Sequence, residues 1–250
     1  MPDSSAPLTR LRRRLERLET PRVKRGAFAL GPAFDAVLGG GLALGALHEI
    51  WARAERDQAS ASGFAVMLAS LAAGERPILW VREDKSDRAF GRLYGAGLVE
   101  LGIDPDRLIL MMAPDTLSAL RTASDVLSCF AAGSVIVETF GVAPSLDLTA
   151  SRKLVLGAEK SGVAAFLLRT GEGRFSSAAA TRWQVSAAPS QALPAEAPGH
   201  PALAIELVRH RGGVPPFSLT VEWNRDARAF REAPLSRAVP AAASGRPLAA

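Results

Sequence analysis

The chain has 250 residues, of which 48% are hydrophobic, with one cysteine and a formal net charge of +5 at neutral pH. No apolar run reaches the roughly 18 residues that a membrane-spanning helix needs, and one cysteine cannot form an internal disulfide. No positively charged n-region followed by an apolar h-region opens the chain, so we expect no secretion signal. The single cysteine fits a reducing compartment, and the length fits one large α/β domain or one domain with tails.

The positive charge is concentrated at the start of the chain. Residues 1–25 hold eight basic and three acidic side chains, so this arm carries the whole excess and the rest of the chain is balanced. A balanced body is not a basic clamp for DNA. Strong attraction to phosphates is therefore expected only from the arm or from local loops.

The arm contains a predicted helix at 7–19. Its leucines recur at helical spacing and form one apolar stripe, comprising Leu8, Leu11, Leu15 and Leu18. Three interpretations stay open: packing on the chain's own domain, docking to another subunit or a partner, and nucleic-acid contact through Arg12 and Arg13.

The next segment has the layout of a phosphate-binding site. A glycine-rich turn leads into a predicted strand at 46–51, and an apolar helix is predicted at 63–73. The intervening loop, 51–63, has one glycine, two carboxylates and no Gly-Lys-Ser/Thr. Phosphate binding needs glycines, a lysine and a magnesium-binding hydroxyl. A carboxylate about 4 Å from a phosphate charge costs roughly 4 kcal/mol near a surface.

We therefore predict a nucleotide-binding architecture whose nucleotide site is degenerate. Its remnant would comprise residues of this loop and carboxylates at two later strand ends, namely Arg53, Arg56, Ser62, Gly63, Glu83 and Glu138. These carboxylates are also typical of polar positions where strands leave a core, and we favour that interpretation.

Strand and helix patterns alternate from residue 46 onward. The strands are continuous apolar runs, which indicates a mostly parallel sheet buried on both faces. Further strands are predicted at 77–82, 107–112, 134–138 and 163–168, with helices at 86–101, 115–131 and 147–160. Three later strands without intervening helices predict an antiparallel extension, at 181–187, 202–208 and 217–223. We expect a domain at 26–232 and a disordered tail at 233–250.

Few residues carry a catalytic pattern. The three histidines have no metal-ligand spacing, and we expect His48 to be a hydrogen-bonded sheet residue. We predict no catalytic residue and no metal site.

Loops at 139–147 and 170–183 are candidates for partner or nucleic-acid contact. The second combines arginine with aromatic residues, a pattern for stacking on single strands, in Arg174, Phe175, Arg182 and Trp183.

Several segments between about 30 and 230 resemble RecA recombinases. Residues 37–50 resemble the segment that leads into the RecA phosphate loop, and residues 93–110, followed by Pro114 and Asp115, resemble a further RecA stretch. Residues 134–138 stand where RecA has its Walker B strand, and Glu83 falls near the catalytic glutamate. The resemblance implies a RecA-like α/β core.

The departures from RecA point to a narrower family. The phosphate loop is degenerate, Glu138 stands in place of the magnesium-site aspartate, and the RecA C-terminal domain is absent. The Gly-Gly-Gly-Leu opening and residues 209–217 are similar to the ImuA, or inducible mutagenesis protein A, family.

That resemblance implies a bacterial cytoplasmic, non-catalytic accessory factor in DNA-damage-induced mutagenesis by error-prone translesion synthesis. The implied partner is an ImuB-type Y-family polymerase homologue, with RecA, an error-prone polymerase III alpha subunit, single-stranded DNA and a second copy as further candidates. No cofactor is expected, ATP included.

Two alternatives remain open. One is a DNA-dependent ATPase of the RecA type, in which Arg53 and Arg56 with Ser60 or Ser62 replace the missing lysine and hydroxyl. The other is a SulA-like cell-division inhibitor, which the length and the C-terminal strands disfavour.

Overall fold

The computed structural model describes residues 26–128, 131–170, 176–193, 197 and 199–233. The predicted helix at 7–19, with its leucines and with Arg12 and Arg13, lies outside these residues. So do Arg174, Phe175 and the predicted tail from 234 onward. Within the described residues, no helix is long and apolar enough to cross a membrane.

A nine-stranded sheet forms the centre of the described domain, in the order β11-β10-β9-β8-β3-β7-β6-β4-β5. Strands β3 to β8 pair in parallel, and β8 to β11 pair antiparallel. The strands are β3 (Leu47–Ala52), β4 (Ile78–Glu83), β5 (Leu108–Ala113), β6 (Ser134–Phe140), β7 (Ala164–Thr170), β8 (Thr181–Ala187), β9 (Ala202–His210), β10 (Phe217–Asn224) and β11 (Ala229–Glu232). A separate small sheet pairs β1 (Ala27–Phe28) with β2 (Leu42–Ala43).

Helices cover both faces of the large sheet. They are α1 (Pro32–Leu38), α2 (Gln58–Ala73), α3 (Asp84–Phe90), α4 (Gly95–Glu100), α5 (Thr116–Val126) and α6 (Leu148–Ser161), with 3₁₀ turns at Glu55–Asp57 and Pro105–Arg107. The predicted mostly parallel sheet with flanking helices and an antiparallel C-terminal extension is therefore confirmed.

The sheet separates two cores. On one face, α2 packs with aromatic side chains from the C-terminal strands, among them Trp183, Trp223 and Phe230. On the other face, α5 and α6 pack against β4, β6 and β7. Because α2 is apolar on most of its surface, it is buried between the sheet and the segments around it. The antiparallel extension thus belongs to the main core.

The two edges of the sheet differ in protection. Strand β11 is short, carries Arg231 and Glu232, and packs against α1. Strand β5 has no charge, and Ile109, Leu110 and Met112 are all exposed. Charges and short length normally protect a sheet edge, so only the β11 edge is protected in this way.

Three predicted boundaries are wrong. The helix predicted at 115–131 ends at Val126. The helix predicted at 86–101 is broken into α3 and α4, because Gly91 takes a positive φ of 79° and ends the first helix. The loop predicted at 51–63 is shorter, because α2 begins at Gln58. Alanine and serine in 58–63 were compatible with either state, and packing under the sheet selects the helix.

Candidate functional site

The connection from β3 to α2 spans Arg53–Asp57 and contains a 3₁₀ turn. Two backbone N–H groups of the connection, and that of the first residue of α2, donate inside the protein. The N–H of Arg53 donates to Val185 O (2.7 Å), and that of Asp57 donates to Ala54 O (2.9 Å). The N–H of Gln58 donates to Glu55 O. A phosphate loop needs several neighbouring donors that point together at the anion, and here the donors at both ends of the connection are engaged elsewhere.

The structure disperses the predicted nucleotide-site residues of the loop. Arg53 and Arg56 are exposed in the connection, and Arg53 lies 3.7 Å from Glu206. Ser62 and Gly63 lie within α2, as does Ser60. The short connection therefore holds two of the predicted remnant residues, while the hydroxyls belong to a helix.

The two predicted carboxylates leave opposite faces of the sheet. Val81 belongs to the α5 and α6 core and Trp80 to the α2 core, so strand alternation places Glu83 with the former. There Glu83 Oε2 accepts from Thr116 Oγ1 (2.7 Å) and from the backbone N–H of Phe140 (3.2 Å). Glu83 thus joins the start of α5 to the end of β6.

Glu138 lies on the α2 side and is held in a buried ion pair. Its Oε2 accepts from Arg82 Nε (2.9 Å) and from Trp80 Nε1 (3.0 Å). Arg82 also donates to Asp87 and to Gly91 O. Burial raises the pKa of Glu138, and the Arg82 charge opposes that rise. Oε1 has no hydrogen-bond partner among the described residues, although Ser86 lies close enough to favour the ionised form.

His48 is a fully buried sheet residue, as predicted. Its Nε2 donates to Ala43 O (3.0 Å), and its Nδ1 accepts from Thr181 Oγ1 (2.8 Å). The ring stacks on Phe166 with centroids 5.5 Å apart. Burial lowers the pKa of His48 to about 4, so the imidazole is neutral at physiological pH. Both ring nitrogens are occupied, and none is left for catalysis.

Sequence reasoning missed a buried charge cluster on three adjacent strands. Glu49 on β3 is fully buried and accepts from Arg169 Nη1 (3.0 Å) on β7 and from Arg182 Nε (2.7 Å) on β8. The Arg182 guanidinium lies 5.1 Å from the centre of the Trp51 ring, a cation–π contact. The only sequence signal was a glutamate inside an apolar strand, and its partners are too distant in sequence to be inferred.

This cluster lines a cleft of about 460 Å³ at the carboxyl ends of the central strands. The cleft lies against the β3–α2 connection, where ligands commonly bind in open parallel sheets. Its lining includes three arginines, two glutamates and three large aromatic side chains, namely Arg53, Arg169, Arg182, Glu49, Glu55, Trp51, Phe90 and Phe140. Gln58 also lines it, is only 4% exposed, and has no partner for Nε2 in the described part of the chain.

The predicted nucleic-acid contact at 170–183 is corrected at Trp183. This side chain is fully buried, packs against Phe34 and Phe64, and donates its indole N–H to Thr181. Period-two alternation turns Trp183 into the core and Arg182 away from it. Arg182 lines the cleft instead.

The described residues contain no group of three or more His, Cys, Asp or Glu side chains placed to hold a metal ion.

Comparison with known proteins places this geometry in a family. No family model matches the chain. Protein ImuA from two strains of Caulobacter vibrioides is 32% identical over 215 residues, covering 80% of this chain and 82% of each relative. The crystal structure of the RadB recombinase matches with a TM-score of 0.56 and 15% identity, covering 82% of this chain and 98% of that one. The predicted RecA-like fold is therefore confirmed, and the chain belongs to the ImuA family.

Proposed function

We propose that this protein is a non-catalytic RecA-like accessory factor in DNA-damage-induced mutagenesis. It acts in the bacterial cytoplasm through contacts with other proteins. Family membership supports the pathway, and the β3–α2 connection carries the non-catalytic part of the proposal. Fold alone does not give function, so the geometry of that connection is the main support for a non-catalytic role.

The connection is unfavourable for a nucleoside triphosphate for two reasons. The N–H groups of Arg53, Asp57 and Gln58 already donate to backbone carbonyls, so a phosphate that used them would have to displace existing hydrogen bonds. The Glu138 carboxylate, at the position implied for magnesium, is paired with Arg82. Binding a metal ion there would require that ion pair to break.

The test is nucleotide binding and hydrolysis by the purified full chain, with and without single-stranded DNA. We expect neither binding at micromolar ATP nor hydrolysis above the background of a matched preparation. Because trace ATPase contamination is common, the control is a Glu55→Lys variant that reverses one charge of the connection. Hydrolysis that DNA stimulates and that Glu55→Lys alters would establish the rival ATPase interpretation.

The proposed partner is an ImuB-type Y-family polymerase homologue, with RecA and an error-prone polymerase III alpha subunit as further candidates. Single-stranded DNA and self-association remain proposals at the same level. The basic arm at 1–25, with its leucine stripe, is the proposed docking element. No cofactor enters this function.

A further inference from the structure

The charge cluster around Glu49 leaves hydrogen-bond donors available at the cleft. Glu49 pairs with two arginines, but its bond to Arg182 engages only Nε of that side chain. Within the described residues Arg182 makes no other hydrogen bond, so both terminal amino groups remain able to donate. The Trp51 ring, with its centre 5.1 Å from the guanidinium carbon, contacts this group by a cation–π interaction.

A second unpaired donor lines the same cleft. Nε2 of Gln58 is buried without a partner in the described residues, although a buried amide without a hydrogen bond costs free energy. An acceptor atom of a ligand would satisfy it. The cleft therefore presents hydrogen-bond donors from two different elements, β8 and α2. These donors favour a negatively charged ligand group with several acceptor atoms.

The lining charges favour a single negative charge. Three guanidinium groups face two carboxylates among the lining residues, and Arg53 also lies 3.7 Å from Glu206 beside the cleft. The terminal amino groups of Arg182, which make no hydrogen bond within the described residues, match the two oxygens of one carboxylate. A phosphate carries about −1.5 to −2 at neutral pH and would exceed the charge of one guanidinium group. In the β3–α2 connection, the backbone N–H groups of Arg53 and Asp57 are already engaged and do not face the cleft as phosphate donors.

The remaining wall of the cleft is aromatic. The rings of Phe90 and Phe140 lie 5.9 Å apart, and Trp51 is half-buried beside Arg182. Such a wall gains stabilisation by covering a large apolar side chain. A ligand that fits both features has a carboxylate next to an aromatic or aliphatic group.

We propose that this cleft binds a short acidic segment of a partner protein. Arg182 and Gln58 hold its carboxylate, and the aromatic wall covers the neighbouring apolar side chain. The carboxylate belongs either to a chain terminus or to an Asp or Glu side chain. This inference deepens the accessory function by stating the chemistry of one partner contact, and its test involves neither nucleotide nor hydrolysis.

Small probes test the cleft on the full chain by calorimetry and by the shift of the Trp51 indole resonance. N-acetylphenylalanine represents a terminal carboxylate, and N-acetyl-Glu-Phe-amide represents a side-chain carboxylate; whichever binds tighter identifies the source. We expect a dissociation constant on the order of 1 mM for the better probe. N-acetylphenylalaninamide, which lacks the charge, should bind at least about tenfold more weakly.

Two variants localise the binding. Arg182→Gln should weaken it about tenfold, whereas Arg225→Gln, an equal charge change on an exposed turn, should leave it unchanged. Gln58→Leu should weaken binding about three- to fivefold. It should also raise the unfolding midpoint of the free protein, because it removes a buried unpaired amide. That opposite movement distinguishes a ligand-binding residue from a structural one.

Four results would each overturn the proposal. They are equal binding of the neutral amide, tighter binding of phenyl phosphate, displacement by a single-stranded oligothymidine, and no binding of either carboxylate probe at about 20 mM. None of these results bears on nucleotide hydrolysis, so the accessory function stands or fails separately.

Discussion

The buried imidazole of His48 makes folding stability depend on pH. The pKa of His48 is lowered to about 4 in the folded protein, whereas the unfolded chain keeps 6.5. The unfolded state therefore gains the proton first, and stability falls as the pH drops from about 6.5 towards about 4. The total loss is about 3 kcal/mol. Urea unfolding at several pH values measures it.

The control separates His48 from a second histidine. His210 is half-buried, and burial lowers its pKa in the same direction. We expect His48→Gln to remove most of the pH slope and His210→Gln to keep most of it. A slope that survives unchanged in His48→Gln would contradict the assignment.

The buried Arg82–Glu138 ion pair should also contribute to folding stability in a pH-dependent way. Arg82→Met should cost about 3 kcal/mol, because Glu138 is left charged and buried. The raised pKa of Glu138 means that its protonated form is favoured in the folded state, so the loss should shrink as the pH falls. Adding Glu138→Leu should recover part of the stability at pH 8. An additive double variant would show that the pair is not coupled.

The environment of a residue could be predicted from the sequence where the pattern of its own strand determines its burial. His48 sits in an apolar run, and its neutral sheet role was foreseeable. Trp183 was wrongly predicted to contact nucleic acid because arginines lie near it in the sequence. Alternation along β8 nevertheless places its side chain in the core. The Glu49 cluster was out of reach, since its partners Arg169 and Arg182 come from strands that only the sheet order brings together.

Among the elements, α1 depends on one glycine. Gly31 precedes the helix with a φ of 136°, and a Cβ there would lie 2.0 Å from Phe230 O. Gly31→Ala should therefore cost at least about 3 kcal/mol, through strain and displacement of β11. Gly39→Ala, at the other end of α1, has a φ of 72° but open space and should cost only about 1 kcal/mol.

Chemical denaturation of the two variants checks this contrast. Equal losses would show that backbone conformation, and not the contact with Phe230, decides the cost.

The element boundaries themselves were predictable for the strands, because continuous apolar runs end abruptly. The start of α2 was not, because the segment before Phe64 owes its helical state to packing beneath the sheet.

For the whole molecule, the balance of charge predicts a separable arm. Deleting residues 1–25 should leave the described domain folded and should weaken self-association or binding to the ImuB-type polymerase homologue at least about tenfold. Light scattering and a pull-down with the purified homologue measure both.

Matched variants divide the arm's properties. Leu11→Asp with Leu15→Asp disrupts the leucine stripe, whereas Arg12→Gln with Arg13→Gln reduces the charge and keeps the stripe. We expect the leucine pair to reproduce the deletion and the arginine pair to retain most of the binding. Full binding by the deleted chain would exclude the arm as the docking element.

Because the two edges of the sheet differ in protection, further strands from other molecules can add more easily at the β5 edge than at the β11 edge. New strands cannot easily extend the sheet beyond β11, but β5 offers six uncharged residues, and no described strand pairs with its outer side. Concentrated solutions should therefore lose protein by edge-to-edge aggregation, at a rate that rises with concentration. A single lysine in place of Ile109, the exposed residue near the start of β5, should slow that loss without changing the fold.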